Sequence, residues 1–342
     1  MSVNRQWVLR RRPQGAVARG DLELVERPLP ALADGEVLCR TVYLSLDPTH
    51  RIWMSERDQY MPPVEIGQPM RGGVIAVVED SRSAAFRPGD IVRPHAGAWA
   101  DYTVAPENML RRLENLDGAP LTAWMSVLGN TGVTAWFGMM DIGQPKPGEI
   151  VVVSAAAGAV GSVAAQLAKL QGARVVGIAG GPAKCAWLRD GLKLDGAIDY
   201  RNEDVGAALD RLCPDGVDVN FENVGGAIME AVFSRMNSFG RMPLCGLISA
   251  YNQDGPVPGP SDFSRILMRR LTVKGFIVLD YFPRLREAMD GLIPLVREGR
   301  LKWKTHVVPG LENAADSLNL LFSGGNDGKL LVQVSPEPQA KT

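Results

Sequence analysis

Cysteine, histidine and surplus charge of either sign are all scarce in this sequence. Its four cysteines (Cys39, Cys185, Cys213, Cys245) lie far apart with no C-x-x-C pair, which argues against a disulfide framework or a zinc ribbon. The three histidines (His50, His95, His306) do not combine with them at any metal-ligand spacing. Lys and Arg number 37 against 38 Asp and Glu, so the clustered basic excess of a nucleic-acid binder is missing. The one basic run, "LRRRPQGAVARG" at 9–20, is followed at once by Asp21, Glu23 and Glu26 and reads as a solvated strand and loop. The opening "MSVNRQWVLRRR" has no apolar core of a signal peptide. With dispersed thiols, this leads to the expectation of a cytoplasmic protein with reduced cysteines. No G-x-S-x-G nucleophile motif is present.

Long uncharged stretches are also rare, and one of them is instructive. From Ile150 to Ala168 no side chain is charged, a span near the ~20 residues that cross a bilayer. It breaks, however, into an apolar strand (Ile150–Ser154), a turn of small residues (Ala155–Gly158) and an amphipathic helix (Ala159–Leu170), followed by a second apolar strand, "ARVVGIA". A membrane helix carries no turn at its middle, so no membrane span is expected. At 342 residues the chain exceeds one small core and implies two domains.

About the first 120 residues read as short β segments cut by Gly and Pro, such as "GEVLCRTVYLSL", "GGVIAVVED" and "PGDIVRPHAGAWADYTVA". After "GQPKPGE" the pattern becomes strands at 149–154, 174–179, 197–199, 217–222, 241–247 and 272–278. Helical patterns at 159–171, 183–191, 204–212, 227–237 and 262–270 alternate with them. Such a series predicts an α/β fold with a doubly wound parallel sheet of six strands. A helix at 283–299 ends it, and 301–334 turns β-like again and is expected to return to the first domain. The boundaries expected are 1–125, 126–300 and 301–342, with "SPEPQAKT" as a disordered tail.

Ala156, Gly158 and Gly161 form an A-x-G-x-x-G version of the dinucleotide fingerprint, placed between strand and helix as that motif requires. The helix start offers free N–H groups and partial positive charge to phosphates. Sites for NAD place an acid about 20 residues on, at the end of the second strand. Here that place reads "VVGIAGGPAK", with no acid and with Lys184 after the Gly-Gly turn. The pattern favours NADP(H), Lys184 meeting the 2′-phosphate.

With these residues in view the chain resembles the zinc-independent medium-chain dehydrogenase/reductases, within them the leukotriene B4 12-hydroxydehydrogenase / prostaglandin reductase group of alkenal and enone reductases. The stretches that carry the resemblance are "LSLDPTHR", "PMRGGVIAVVEDS", "TAWFGMMDIGQPKPGEIVVVSAAAGAVGS", "VVGIAGGPAKC", "DYRNED", "VDVNFENVGG", "CGLISAYN", "KGFIV" and "GGNDGK". The resemblance implies a GroES-like β-rich catalytic domain plus a Rossmann domain, NADPH as cofactor, and reduction of the C=C bond of α,β-unsaturated carbonyls. By motif it implies a phosphate loop at Gly158, Ala159, Val160 and Gly161, with Lys184 and Tyr200 at the 2′-phosphate. It places Asn223 beside the cofactor, Cys245, Gly246, Ser249, Phe276, Ile277 and Val278 on the nicotinamide side, and Asn326 closing over the cofactor. It also suggests a homodimer.

Two stretches depart from the group's pattern. "LDPTHR" puts Thr49, followed by His50, where the group usually has an aromatic near the substrate, and "GNTGVTAWFG" brings Asn130, Thr131 and Trp136. His50, Asn130 and Thr131 are therefore candidates for the substrate pocket. Zinc alcohol dehydrogenases of the wider superfamily carry thiolate and imidazole ligands where this chain reads "YLSLDPT" and "GQPMRGG", so no metal is expected. Without one, a developing enolate needs a hydrogen-bond donor and the α-carbon a proton. Tyr251, just after the fifth strand, is the expected catalytic residue: a neutral phenol stabilising the enolate, with solvent or Tyr251 delivering the proton. The rival expectations are an NADPH:quinone oxidoreductase and a non-catalytic NADPH-binding protein.

Overall fold

The computed structural model describes residues 3–113, 119–253 and 255–338. The N-terminal part is built from β1 (Val3–Leu9), β2 (Leu22–Pro28), β3 (Glu36–Ser45), α1 (Thr49–Trp53), β4 (Val74–Ser81), β5 (Ile91–Pro94), β6 (Tyr102–Pro106) and β7 (Leu110–Arg112). β3 to β5 and β7 form an antiparallel run, β6 pairs with β3, and β1 and β2 form a separate hairpin. α2 (Asn130–Trp136) then leads into the second half.

There the alternation expected from sequence is met by β8 (Ile150–Val153), α3 (Ala159–Leu170), β9 (Arg174–Ala179), α4 (Pro182–Ala186), β10 (Gly196–Asp199), α5 (Val205–Leu212), β11 (Val217–Phe221), α6 (Gly226–Phe233), β12 (Met236–Leu244), α7 (Ser264–Arg269) and β13 (Thr272–Gly275). The six strands run parallel in the order β10-β9-β8-β11-β12-β13. That order is the doubly wound nucleotide-binding sheet, and its reversal between β8 and β11 opens the crevice where ligands bind. β8 is buried along its whole length, as a central parallel strand between two helical layers must be. No helix among the described residues is long and apolar enough to cross a membrane.

After α8 (Leu285–Arg297) the chain forms β14 (Thr305–Pro309), α9 (Ala314–Leu318), α10 (Leu320–Ser323) and β15 (Lys329–Gln333). β15 pairs antiparallel with β3, so the last segment adds a strand to the N-terminal sheet. Leu311, Ala314, Leu318, Leu330 and Val332 bury themselves there against Leu44, Leu46, Met54 and Trp99. Residues 339–342 of the expected tail lie outside the described residues. Just before them, Ser335 donates to the Thr41 carbonyl at 2.6 Å, and Glu337 accepts from the Tyr43 hydroxyl at 2.6 Å.

Several element bounds differ from the sequence reading, each for a local reason. The helix expected over 227–237 stops at Phe233, and β12 begins at Met236 through the exposed, positive-φ Phe239. The strand expected over 272–278 stops at Gly275, and Val278–Arg284 winds into a 3₁₀ turn. Residues 301–334 hold two short helices beside their two strands.

Candidate active site

All the sequence-predicted site residues line one cavity of about 900 Å³ between the N-terminal β unit and the parallel sheet, near the upper end of the usual size for a small-molecule site. On the sheet side its wall is the β8–α3 turn. Ala155 takes a left-handed backbone there (φ +48°), and Gly158 caps α3 without a side-chain hydrogen bond. The N–H groups at the start of α3 have no partners inside the helix, and Ala159, Val160 and Gly161 face the cavity. No acid sits in the first turn of this helix to compete for an anion. A Cβ on Gly161 would stand 2.4 Å from the Ala155 carbonyl oxygen, so only glycine lets the helix close onto the turn.

Lys184 and Tyr200 line the far end of this wall. The Lys184 ammonium donates to the Gly324 carbonyl at 2.9 Å, and burial lowers its pKa from the ordinary lysine value. The nearest acid at the strand ends, Asp199, is turned away: it accepts from the Gly181 N–H at 2.8 Å and from Asn202 at 2.7 Å, and the Gly181 bond first of all keeps its pKa low. These donors (a helix start, a lysine and a phenol), with the nearby Asp327 paired to Lys304, suit the pyrophosphate and 2′-phosphate of NADP(H).

The returning segment covers the same wall. Gly328 bridges to Gly158 in parallel register, Arg201 donates to the Ser323 carbonyl at 2.6 Å, and Asn326 holds the turn by donating to Gly328 at 2.7 Å. Opposite, Asn223 is fixed twice to Ser154: its N–H donates to the hydroxyl and its amide to the carbonyl, both at 2.7 Å. Ser249 donates to the Val224 carbonyl at 2.6 Å. Phe276 packs edge-on against Phe221 and Tyr281, carrying Ile277 and Val278 into the lining. Cys245 also lines the cavity as a thiol, pushed up to about 12 by burial and by Glu222.

Tyr251 follows a short turn after β12. Its oxygen accepts from the Leu247 N–H at 3.1 Å, which leaves its own proton available to a ligand in the cavity. Burial first, then Cys245 and Tyr60, push it up to about 12, against the lowering by the Leu247 bond. The phenol is neutral throughout the physiological range. A Cβ on Gly246 would come within 3.1 Å of the hydroxyl, so the glycine keeps the space around it open.

The candidates of the substrate half also reach the lining. His50 is 1% exposed, packed on Trp53 and Trp99, with Nδ1 accepting from the Asp47 N–H at 3.3 Å. Burial holds it down to about 4, so the ring is neutral. Asn130 accepts from Arg93 at 2.7 Å, and Thr131 donates to the Ser126 carbonyl at 2.9 Å. Trp136 packs against Gly291 of α8, away from the site. Arg51 donates to the carbonyls of Gly15 (2.8 Å) and Pro13 (3.0 Å) and anchors that loop.

A family profile described as the N-terminal domain of oxidoreductase matches residues 5–113, and one described as zinc-binding dehydrogenase matches 159–297. The NADPH-dependent curcumin reductase of Escherichia coli is 39% identical over 97% of both chains. The 2-alkenal reductase (NADP(+)-dependent) of Nicotiana tabacum is 36% identical over 98% of both. The crystal structure of CurA from Vibrio vulnificus in complex with NADPH superposes with a TM-score of 0.92 at 39% identity, covering 97% of this chain and all of that one. The chain belongs to this family of NADP-dependent alkenal, prostaglandin and curcumin reductases.

Membership bears out the resemblance and the two-part fold read from sequence. As for the name of the second profile, no group of three or more His, Cys, Asp or Glu among the described residues stands close enough to hold a metal ion. The site also contains residues the sequence reading passed over. Tyr60 also lines the cavity and bonds through its hydroxyl to Thr49 of the "LDPT" stretch. Glu222, buried behind Asn223, accepts from the Val224 N–H (2.6 Å), the Gly225 N–H (2.8 Å) and the Ser154 hydroxyl (2.9 Å). It thereby shapes the loop above the sheet. A carboxyl in a "FENVGG" turn was visible in sequence; its inward aim was not.

Proposed function

We propose that this protein reduces the C=C bond of α,β-unsaturated aldehydes or ketones with NADPH, using Tyr251 and no metal. The observation that carries the reading is the neutral Tyr251 phenol, whose oxygen is tied to the Leu247 N–H, in the same cavity as the phosphate-binding turn. The N–H groups of Ala159, Val160 and Gly161 hold the pyrophosphate, Lys184 and Tyr200 the 2′-phosphate, and Asn223, Cys245, Gly246, Ser249 and Asn326 frame the rest of the cofactor. Phe276, Ile277 and Val278 form the apolar wall on the nicotinamide side. The bound nicotinamide supplies hydride to the substrate β-carbon. Tyr251 donates a hydrogen bond to the carbonyl oxygen, which strengthens as that oxygen gains enolate charge. Its proton, or one from solvent, then serves the α-carbon.

The test is stopped-flow NADPH oxidation with a panel of 2-alkenals, enones and quinones. Oxidation with 2-alkenals and enones is expected. Turnover of quinones alone would replace the reading with a quinone reductase, and turnover of none with an NADPH-binding protein. The domain roles we assign are substrate binding for 1–125 and 301–342, and cofactor binding for 126–300.

We further propose a homodimer formed through the edge of the parallel sheet. β13 ends that sheet and is largely exposed. Beside it, Phe263, Leu267 and Met268 of the α7 region are 64–71% exposed. An unpaired edge next to such an apolar patch favours association.

A further inference from the structure

We propose that the wall formed by β5 and β7 is a carboxylate-binding subsite, so that the preferred substrates carry an acid group apart from the reacting double bond; the inference rests on the reductase reading above. Arg93 and Arg111 are directly opposed partners in the antiparallel β5–β7 register. Direct partners project from the same face of the ladder, where like charges repel. Both residues line the cavity.

The next arginine along β7, Arg112, projects from the other face and has its counter-ion: Asp90, at 2.6 Å. Among the described residues no ion pair within 4 Å is formed by Arg93 or Arg111; Asp47 acts on Arg93 only at longer range and is itself held by Lys329. Arg93 makes a single hydrogen bond, to the neutral Asn130 amide. Arg111 lies over the Trp124 ring, 5.6 Å from its centroid. Burial and then Arg111 hold the Arg93 guanidinium down to about 10, the mark of a desolvated cation beside a like charge.

The charge balance of the lining points the same way. Its cations are Arg71, Arg93, Arg111, Lys184 and Lys329, and its one carboxylate is Asp47. Lys329 binds Asp47 at 2.7 Å, and Lys184 stands by the cofactor turn. The arginines of the N-terminal unit are left over. Arg71 rests on Trp53, 5.1 Å from the ring centroid, and donates to the Pro62 carbonyl. Two forked guanidinium groups side by side, with most of their N–H donors unused, match the two oxygens of a carboxylate. Apolar lining around them, from Met125, Leu128 and Val133, suits the chain that would join the acid to the enone.

The test compares a linear enone bearing a terminal carboxylate with its methyl ester, so that chain and reacting group are constant. Wild type is expected to favour the acid in kcat/KM by about tenfold or more at low salt, with the preference shrinking as salt rises. In Arg93→Met and Arg111→Met the acid-to-ester ratio is expected to approach one. A wild-type ratio of one or less, or a ratio unchanged by both substitutions, would overturn the proposal. So would weakened NADPH binding in the variants with the ratio intact, because the arginines would then serve the cofactor. Arg111→Gln provides the same reading should a methionine variant fail to fold. If neither enone is turned over, the reductase reading fails, and the subsite is read separately by calorimetry on the protein saturated with NADP⁺. Octanoate binding about tenfold tighter than 1-octanol, and losing that advantage in Arg111→Met, would sustain the subsite; equal binding would overturn it.

Discussion

The Lys329 ammonium, 2% exposed, donates to Asp47 Oδ1 at 2.7 Å and to the Leu46 carbonyl at 2.8 Å, joining the start of β15 to the loop after β3. A chain segment from the far end of the sequence is thereby held at the cavity by a buried charge pair. Burial alone would raise the Asp47 carboxyl, but Lys329 and then His50 hold it down at about 2. Removing one partner of such a pair strands the other charge, which costs ~3–5 kcal/mol. Asp47→Asn leaves the better-buried Lys329 unpaired and is expected to lose about 3 kcal/mol in urea unfolding. Lys329→Met, which strands the partly exposed Asp47, should lose less, and the double variant less than the sum. Additive losses would mean the two charges do not stabilise each other.

Tyr251→Phe removes the hydroxyl and keeps the ring. If the phenol donates to the developing enolate, kcat/KM for an enone drops by about 10²-fold, while the NADPH dissociation constant measured by fluorescence stays within a factor of about two. Because the folded phenol titrates near 12, activity should show no alkaline loss from this group up to about pH 10. Wild-type turnover in the Phe variant would remove Tyr251 from the chemistry.

What was legible in the sequence was local. β9 was placed at its observed bounds, since "RVVGIA" is an apolar run closed by Gly-Gly. The turn at 155–161 was legible because strand, small residues and helix follow one another within one stretch of chain. β12 was not, because its first half is exposed and irregular, with a register shift against β11 and a positive φ at Phe239. The opposition of Arg93 and Arg111 depends on strand register, and the meeting of Asp47 with Lys329 on a return of the chain across 282 positions. Neither leaves a pattern in a single sequence. Tyr60 was missed for the same reason: its loop, "SERDQYMPP", carries no motif.

Lys184 is the residue on which cofactor choice turns. Its loss should weaken NADPH binding by about 10- to 100-fold, the worth of one charge-assisted bond to a phosphate, and leave NADH binding within about twofold. Calorimetry of Lys184→Ala with both cofactors measures this. Equal weakening of both would mean that Lys184 acts through its bond to Gly324, holding the returning segment, and not on the 2′-phosphate.

If the β13 edge pairs two subunits, a charge in the adjoining apolar patch should separate them. Leu267→Glu places a carboxylate on a position of α7 that is 71% exposed and has little packing to lose within the subunit. Sedimentation should then show wild type at twice the monomer mass and the variant at the monomer mass. A wild-type monomer at about 10 µM, within the range where specific dimers of ordinary affinity persist, would end the dimer proposal.

His50 gives the stability a pH dependence with a defined sign. Burial lowers its folded pKa from the ordinary 6.5 to about 4, so between these values the unfolded chain binds the proton that the folded one refuses. Stability therefore falls as pH drops from about 6.5 to 4, by roughly 3 kcal/mol if this group acts alone. Below about 4 its contribution is constant. Asp47 takes over there, with its pKa lowered from 3.8 to about 2, and stability drops again over that lower window as its carboxylate is protonated. Urea unfolding at stepped pH should show both descents in wild type. His50→Gln, which cannot take up the proton, should flatten the upper one; the lower one should persist through Lys329 but shrink, because His50 also helps hold Asp47 down. An unchanged upper descent in that variant would assign it to other groups.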